Sequence, residues 1–392
     1  MNSWIVSGSR TPIGRFLGDL APLTAPELGG FAIAGAMKNV SLAASDVDEV
    51  IMGQVLSAGS GQAPARQAAL NAGLPNTIGC VSVNKVCGSG LYSVMLADRA
   101  IRSGDYRVVV AGGMESMSQA PHLVRNGRTG WKYGSQSMLD AIEQDGLRCT
   151  VGNSLMGCYA DQVAWDNSID RSAQDEWSLE SHRKAIAAQS EGRFASEIVE
   201  VTYGKGTNVT QDSGPRADTI LEKLAKLKPA FGADGTVTAG NASTLSDGAA
   251  AVVVVSESIK RDLKSGPAFR IVGSQTHAMK PSDLFIAPVY AIQKLLQKTG
   301  KLIEDVDLFE INEAFASQTI ACMRALNIPS DKLNVHGGAI ALGHPIGCSG
   351  SRVLVTLMHA LLARQKSMGV AALCLGGGEA VAMLIEFDGG SA

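Results

Sequence analysis

No run of apolar residues in this 392-residue chain approaches the length needed to cross a bilayer. Its start, Met1-Asn2-Ser3-Trp4-Ile5-Val6-Ser7-Gly8, lacks the charged and then apolar pattern of a secretory leader. A cytoplasmic location is expected. Charge of one sign is equally scarce: 34 Lys and Arg against 37 Asp and Glu give a net charge of −3. General binding to nucleic acid or to a membrane surface needs a concentrated basic field, so neither is expected as a partner. The seven cysteines (Cys80, Cys87, Cys149, Cys158, Cys322, Cys348 and Cys374) are scattered and include no Cys-x-x-Cys pair. A disulfide framework and a metal site are therefore not indicated, and the thiols are expected to be reduced. No Gly-x-x-x-x-Gly-Lys segment or dinucleotide fingerprint occurs, so ATP and redox cofactors are not expected.

The chain is 45% hydrophobic and 18% charged, ordinary values for a globular protein with a large core. Its 44 glycines punctuate short apolar runs that alternate with amphipathic stretches, the pattern of an α/β protein with helices covering sheets. Strands are expected at 108–111, 251–255, 270–272, 306–309 and 370–375, and helices at 91–102 and 314–326. A faint internal repeat is visible. Gly88-Ser89-Gly90, an apolar helix and Val108-Val109-Val110-Ala111-Gly112-Gly113-Met114-Glu115 have a later counterpart. That counterpart is Cys348-Ser349-Gly350, an apolar helix and Ala372-Leu373-Cys374-Leu375-Gly376-Gly377-Gly378-Glu379. Two alike halves are expected, residues 1–120 and 249–392. Between them residues 121–248 are more polar and carry Trp131, Trp165 and Trp177, which reads as an inserted loop domain. The cations Arg216, Lys223, Lys226 and Lys228 in that insertion form either a solvated face or a site for a polyanionic nucleotide.

Cys87 is the prime candidate for chemistry. In Val86-Cys87-Gly88-Ser89-Gly90 it opens an expected helix, where the macrodipole and free amides are expected to lower its pKa toward the thiolate. Three later segments also combine a polar or reactive group with small neighbours that admit a ligand: Asn312-Glu313-Ala314-Phe315, Gly343-His344-Pro345 and Cys374-Leu375-Gly376-Gly377-Gly378. One assembled site is expected. Each residue also has a plainer reading: His344 as a core imidazole, Asn312 as a helix cap, Cys374 as a buried strand residue.

These motifs, with Ser9-Arg10-Thr11-Pro12-Ile13-Gly14, Gly112-Gly113-Met114-Glu115-Ser116-Met117-Ser118, Gly235-Thr236-Val237-Thr238-Ala239-Gly240-Asn241-Ala242-Ser243 and Gly337-Gly338-Ala339-Ile340-Ala341-Leu342-Gly343-His344-Pro345, resemble those of the thiolases of the acetyl-CoA acetyltransferase type, essentially end to end. The resemblance implies the thiolase fold, with two similar α-β-α-β-α halves and an inserted loop domain that binds coenzyme A, assembled as a homo-oligomeric dimer or tetramer. It implies interconversion of two acetyl-CoA with acetoacetyl-CoA and CoA, with no cofactor beyond coenzyme A as substrate. Cys87 would be the acylated nucleophile, His344 its base and Cys374 the second acid/base. Asn312 would hold a water that acts with His344 on the thioester oxygen. The amides of Cys87 and Gly376 would form a second oxyanion site. One such donor is typically worth about 2.7–4 kcal/mol of transition-state stabilisation. Ser243 and Phe231 would meet the pantetheine, Arg216 the nucleotide phosphates, and Met156 the acyl pocket.

Two departures bear on substrate. Short-chain members commonly have His-Met-Gly where this chain has Leu155-Met156-Gly157. Asp283-Leu284-Phe285-Ile286-Ala287-Pro288 replaces the usual Met-Gly-Thr-Gly-Pro beside the acyl pocket. Cleavage of longer or unusual 3-ketoacyl-CoA chains therefore stays open. So do two other classes: a non-catalytic CoA-binding scaffold and a cysteine hydrolase, although the hydrolase gives the second cysteine no task.

Overall fold

The protein is described by a computed structural model over residues 2–263 and 266–389. Nine strands carry the fold: β1 (Ser3–Arg10), β2 (Glu49–Gly53), β3 (Gly79–Val83), β4 (Val108–Ser116), β5 (Ser246–Ser256), β6 (Phe269–Ala278), β7 (Leu308–Ile311), β8 (Met368–Leu375) and β9 (Glu379–Phe387). They pair in the order β7-β8-β9-β6-β1-β5-β4-β2-β3, and the short strand Gly14–Arg15 adds to β5. The order repeats itself about the β1/β6 junction, where Trp4 pairs with Arg270 and Ile5 with Phe269. On one side β1, β5, β4 and β2 follow each other; on the other β6, β9, β8 and β7 do the same. In each half the inner pairings are antiparallel and the last of the four strands pairs in parallel, β2 on β4 and β7 on β8, with β3 adding parallel to β2 in the first half.

The pattern of side chains explains the layers. β5 is buried along its whole length, as expected for a strand covered on both faces. Its Ala250, Val252 and Val254 point into one core, and Ala249, Ala251, Val253 and Val255 into another. The first core is shared by both halves of the sheet and by two 15-residue helices between them, α3 (Ser89–Ser103) and α8 (Ser349–Ala363). The second is closed by α1 (Ala25–Lys38) and α2 (Pro64–Asn71). A third, on the far face of β7, β8 and β9, is closed by α6 (Ala287–Thr299) and by Cys322 and Leu326 of α7 (Ala316–Leu326). Five layers result: helix, sheet, central helices, sheet, helix. Thr24 and Glu27 start α1 with a reciprocal capping box. The insertion between β4 and β5 contributes α4 (Met156–Asp166) and α5 (Arg171–Ser190), the latter capped by Asp170.

The expected elements differ from these in places. The strand expected at 306–309 runs from Leu308 to Ile311, and the helix expected from 314 starts at Ala316. β5 straddles the 248/249 boundary expected from sequence, yet it pairs along its length with β1 and β4. Hydrogen bonding thus places Ser246–Ser256 with the N-terminal strands.

The two central helices cross at their N-terminal ends, and glycine allows it. A Cβ added at Gly350 would lie 2.2 Å from the Leu91 amide nitrogen, and one at Gly90 would lie 2.7 Å from that of Ser351. Backbone meets backbone, with no flexible group to yield. Gly350→Ala is expected to destabilise the protein by about 1–3 kcal/mol, the usual cost of an overpacked core, measured by urea unfolding. Wild-type stability would show that the crossing tolerates a side chain.

Candidate active site

The helix crossing sets two loops beside each other, one before α3 and one before α8. In the first, Val86 adopts φ 47°, a left-handed backbone that a β-branched residue rarely takes. Local hydrogen bonds hold it: Val86 N–H donates to Asn84 Oδ1 (2.9 Å), Ser89 Oγ donates to the Val86 carbonyl (2.6 Å) and accepts from Lys85 N–H (2.8 Å). Lys85 is also paired with Glu379 at the start of β9. The next residue, Cys87, is thereby held at the mouth of the turn. Its own amide and that of Gly376, just after β8, donate to its sulfur.

In the second loop His344 is buried, and its amide donates to the Thr244 carbonyl (3.0 Å). Its Nδ1 lies 2.6 Å from Ser349 Oγ, which in turn lies 3.0 Å from the Pro345 carbonyl. A hydroxyl has one proton, and the carbonyl can only accept it. Ser349 therefore accepts from Nδ1–H, which assigns that tautomer and makes Nε2 the accepting nitrogen of the ring. Glu115, near the end of β4, anchors the same loop by accepting from Gly347 N–H (2.9 Å) as well as from the amides of Val55 and Leu56. Asn312 follows β7 and is fixed to β8 through its amide and the Ala372 carbonyl (3.0 Å). Its Nδ2 is 3.5 Å from His344 Nε2.

Cys87, His344, Cys374 and Gly376 line one cavity of about 410 Å³, together with Met156, Phe231 and Ser243. Asn312 does not line it but stands buried against His344. Arg216 is not in this cavity either. It lines a neighbouring one of about 230 Å³ with Arg15, His182 and Lys223, and both cavities share Ala239 and Thr244 as lining. There the imidazole Nδ1 of His182 accepts from Arg216 N–H (3.2 Å), and burial together with Arg216 and Arg15 pushes the ring down to about 4. The two departures noted in sequence both reach the first cavity: Leu155, Leu284 and Phe285 are in its wall, with Phe285 edge-on to Phe315 at 5.3 Å.

Electrostatics overturn one expectation. The Cys87 thiol is raised to about 11, because burial outweighs the amides of Gly376 and Cys87 that favour the thiolate. Burial, aided by the Arg352 cation, lowers His344 to about 3. Cys374 is pushed well up by burial, with Cys87 and then Cys322 as neighbouring charges that would add to the effect. The resting site is a neutral thiol, a neutral imidazole and a second neutral thiol on one cavity. Such a set can move a proton from sulfur to Nε2 as a bond to an electrophile forms, and it offers two amides at that sulfur for a developing oxyanion.

Three residues of the site carry no mark in the sequence: Ser349 and Ser89 stand out only as part of the repeated Ser-Gly pair, and Arg352 lies in an apolar helical stretch. Among the described residues no group of three or more His, Cys, Asp and Glu is placed to hold a metal ion, and no helix is long and apolar enough to cross a membrane.

The thiolase N-terminal domain model matches residues 3–258 and the thiolase C-terminal domain model residues 266–387. The chain is 49% identical over 389 residues to an acetyl-CoA acetyltransferase of Escherichia coli K12, covering 98% of this chain and 99% of that protein. It is 47% identical over 386 residues to a probable acetyl-CoA acyltransferase of Staphylococcus aureus COL, covering 97% and 98%. A crystal structure of the Bacillus anthracis acetyl-CoA acetyltransferase superposes with a TM-score of 0.96 at 40% identity, over 98% of each chain. The chain belongs to the thiolase family.

The neutral resting pair has a measurable consequence. Below a thiol pKa near 11 the thiolate fraction grows roughly tenfold per pH unit. Alkylation of Cys87 by iodoacetamide is expected to accelerate by about that factor per unit from pH 7 to 9. A plateau beginning near pH 7 would instead reveal a thiolate–imidazolium pair.

Proposed function

We propose that this chain catalyses the interconversion of two acetyl-CoA with acetoacetyl-CoA and CoA. The observation that carries the proposal is the convergence of two thiols and one imidazole, from segments more than two hundred residues apart, on one cavity with an amide aimed at the first thiol. The names of the Escherichia coli and Bacillus anthracis relatives support the substrate.

In this reading the Cys87 sulfur attacks the thioester carbonyl of acetyl-CoA while its proton passes to His344 Nε2. The oxygen that gains charge is met by His344 and by a water held at Asn312. CoA leaves as the thiol after receiving that proton, and acetyl stays on Cys87. A second acetyl-CoA enters; Cys374 passes its own proton to His344 across the shared cavity and, as the thiolate, removes a proton from the methyl carbon. The carbanion attacks the acetyl carbonyl, whose oxygen is held by the Cys87 and Gly376 amides. As acetoacetyl-CoA departs, the Cys87 sulfur leaves as the thiolate and takes the proton held by His344, while Cys374 keeps the methyl proton, so both thiols and the imidazole end neutral. Splitting the transfer through a covalent intermediate replaces one hard step by two easier ones. The low basicity of His344 in its buried setting suits a group that holds the proton only transiently.

Coenzyme A would run through both cavities, with Ser243 and Phe231 along the pantetheine, Met156 at the acyl end, and Arg216, Lys223 and Arg15 toward the phosphates. Nothing in the reaction calls for a cofactor beyond coenzyme A. A second reading, cleavage of longer 3-ketoacyl-CoA, is favoured by the apolar wall of Leu155, Leu284 and Phe285. Homo-oligomers are supported by two features. β3 leaves an outer sheet edge open, with Val81 exposed, and the hairpin His122–Leu123/Leu139–Asp140 carries exposed Trp131, Tyr133 and Met138. A cytoplasmic location accords with acyl-CoA substrates.

Acetoacetyl-CoA should be consumed when CoA is added, and Cys87→Ala should abolish this. Cys374→Ala should still exchange acetyl groups with CoA but lose carbon–carbon cleavage by at least about a hundredfold, the usual range for a lost acid/base. Repeating the assay over a series of 3-ketoacyl lengths separates the two substrate readings. Folded protein that consumes none of them would defeat the proposal.

A further inference from the structure

Next to Asn312 lies a buried cation that the reaction as described does not use. Arg352, three residues after Ser349 on α8, has no exposed surface and lines no part of the cavity. Its Nη2 donates to Asn312 Oδ1 at 3.4 Å, and this is the one side-chain hydrogen bond of the guanidinium among the described residues. Glu310, two residues before Asn312 on β7, is its ionic neighbour, with Nη1 3.8 Å from Oε2. That separation is too long for a hydrogen bond, and Nε and Nη1 have none. Burial pushes the Glu310 carboxyl up to about 8 despite the nearby guanidinium, so Glu310 is a loose neighbour and the directional contact of Arg352 is the one to Asn312.

An asparagine amide has two planar rotations that differ only in exchanging oxygen for nitrogen. Facing a neutral imidazole lone pair or a water, the two are chemically opposite: one end donates, the other accepts. A guanidinium has five N–H donors and no acceptor, so it tolerates only the oxygen. We propose that Arg352, through its contact with Asn312 Oδ1, is the positioning residue that locks the Asn312 amide with its NH2 group turned toward His344 and the oxyanion position. This deepens the role given to Asn312 above and rests on that reading. The geometry of β7 serves it directly: Glu310 and Asn312 are two apart in an extended segment, so one cation between that segment and α8 can reach both.

The test is a double-mutant cycle on the full-length protein, with thiolysis of acetoacetyl-CoA as readout and circular dichroism as a check of folding. Asn312→Ala comes first and should lower kcat. Arg352→Met should then lower kcat on the order of 10- to 100-fold, the range seen when a residue that orients a reactive group is lost, with KM for acetoacetyl-CoA and CoA within about twofold of wild type. Arg352→Lys, which keeps a buried cationic donor, should recover part of the loss. In the Asn312→Ala background, Arg352→Met should cost less than about twofold more, because the group it orients is gone. If Arg352→Met does not fold, Arg352→Lys is taken through the same cycle, with a smaller loss of kcat that likewise shrinks to less than about twofold in the Asn312→Ala background. Wild-type kcat in a folded Arg352 variant, or an undiminished loss in the Asn312→Ala background, would overturn the positioning role while leaving the role of Asn312 intact. Wild-type kcat in Asn312→Ala would instead remove the role of Asn312 and this inference with it.

Discussion

The site depends on the contact between the N-terminal ends of α3 and α8, where Gly90 and Gly350 let two helix backbones touch. Everything reactive is placed relative to that crossing. Cys87 sits on the loop entering one helix, His344 on the loop entering the other, and the two helices are buried between the halves of one sheet. Because the crossing lies near the axis relating the halves, corresponding loops from distant parts of the chain face each other. Asn312 and Cys374 then arrive from β7 and β8, strands of the C-terminal half that also pack on α8. The fold solves a positioning problem by symmetry, and the insertion between β4 and β5 supplies much of the cavity wall.

Burial then decides the chemistry. Donors around the Cys87 sulfur favour its anion, yet desolvation is the larger effect in the substrate-free form, and the same desolvation keeps His344 neutral. A site without standing charge is compatible with an apolar cavity whose walls include Met156, Leu284, Phe285 and Phe315. It also keeps the base weak until a proton must be received. Behind the thiols and the imidazole stand two buried polar groups: Glu115, which burial raises to about 7, accepts three amides and anchors the loop of His344, and Arg352 contacts Asn312.

Much of this was legible in the sequence. The recurrence of Ser-Gly, an apolar helix and a Gly-Gly strand end announced two related halves, and α3 and α8 are those helices. Cys87, His344 and Cys374 were conspicuous because each reactive side chain stands among small residues. What stayed hidden depended on tertiary contact. Whether β5 belonged to the first or second half is settled by its hydrogen bonds to β1 and β4, and an apolar run of Ala and Val says nothing of its partners. The left-handed backbone at Val86 runs against its side-chain type and has no local sequence mark. The protonation of Cys87 was misjudged from the helix terminus alone, since the amide field is local and legible while the surrounding burial is not. Arg352 is hidden for the same reason, being a charged residue on a helix whose first ten residues are all buried.

The central claim is that Cys87, and not the second thiol on the same cavity, carries the acyl group. Brief incubation of the protein with acetyl-CoA alone, followed by acid quench, proteolysis and mass spectrometry of the cysteine-containing peptides, reads this directly. The account predicts a single acetyl group on the peptide containing Cys87, removed on adding CoA. Acetyl on Cys374, or on neither cysteine in protein that turns over substrate, would contradict it.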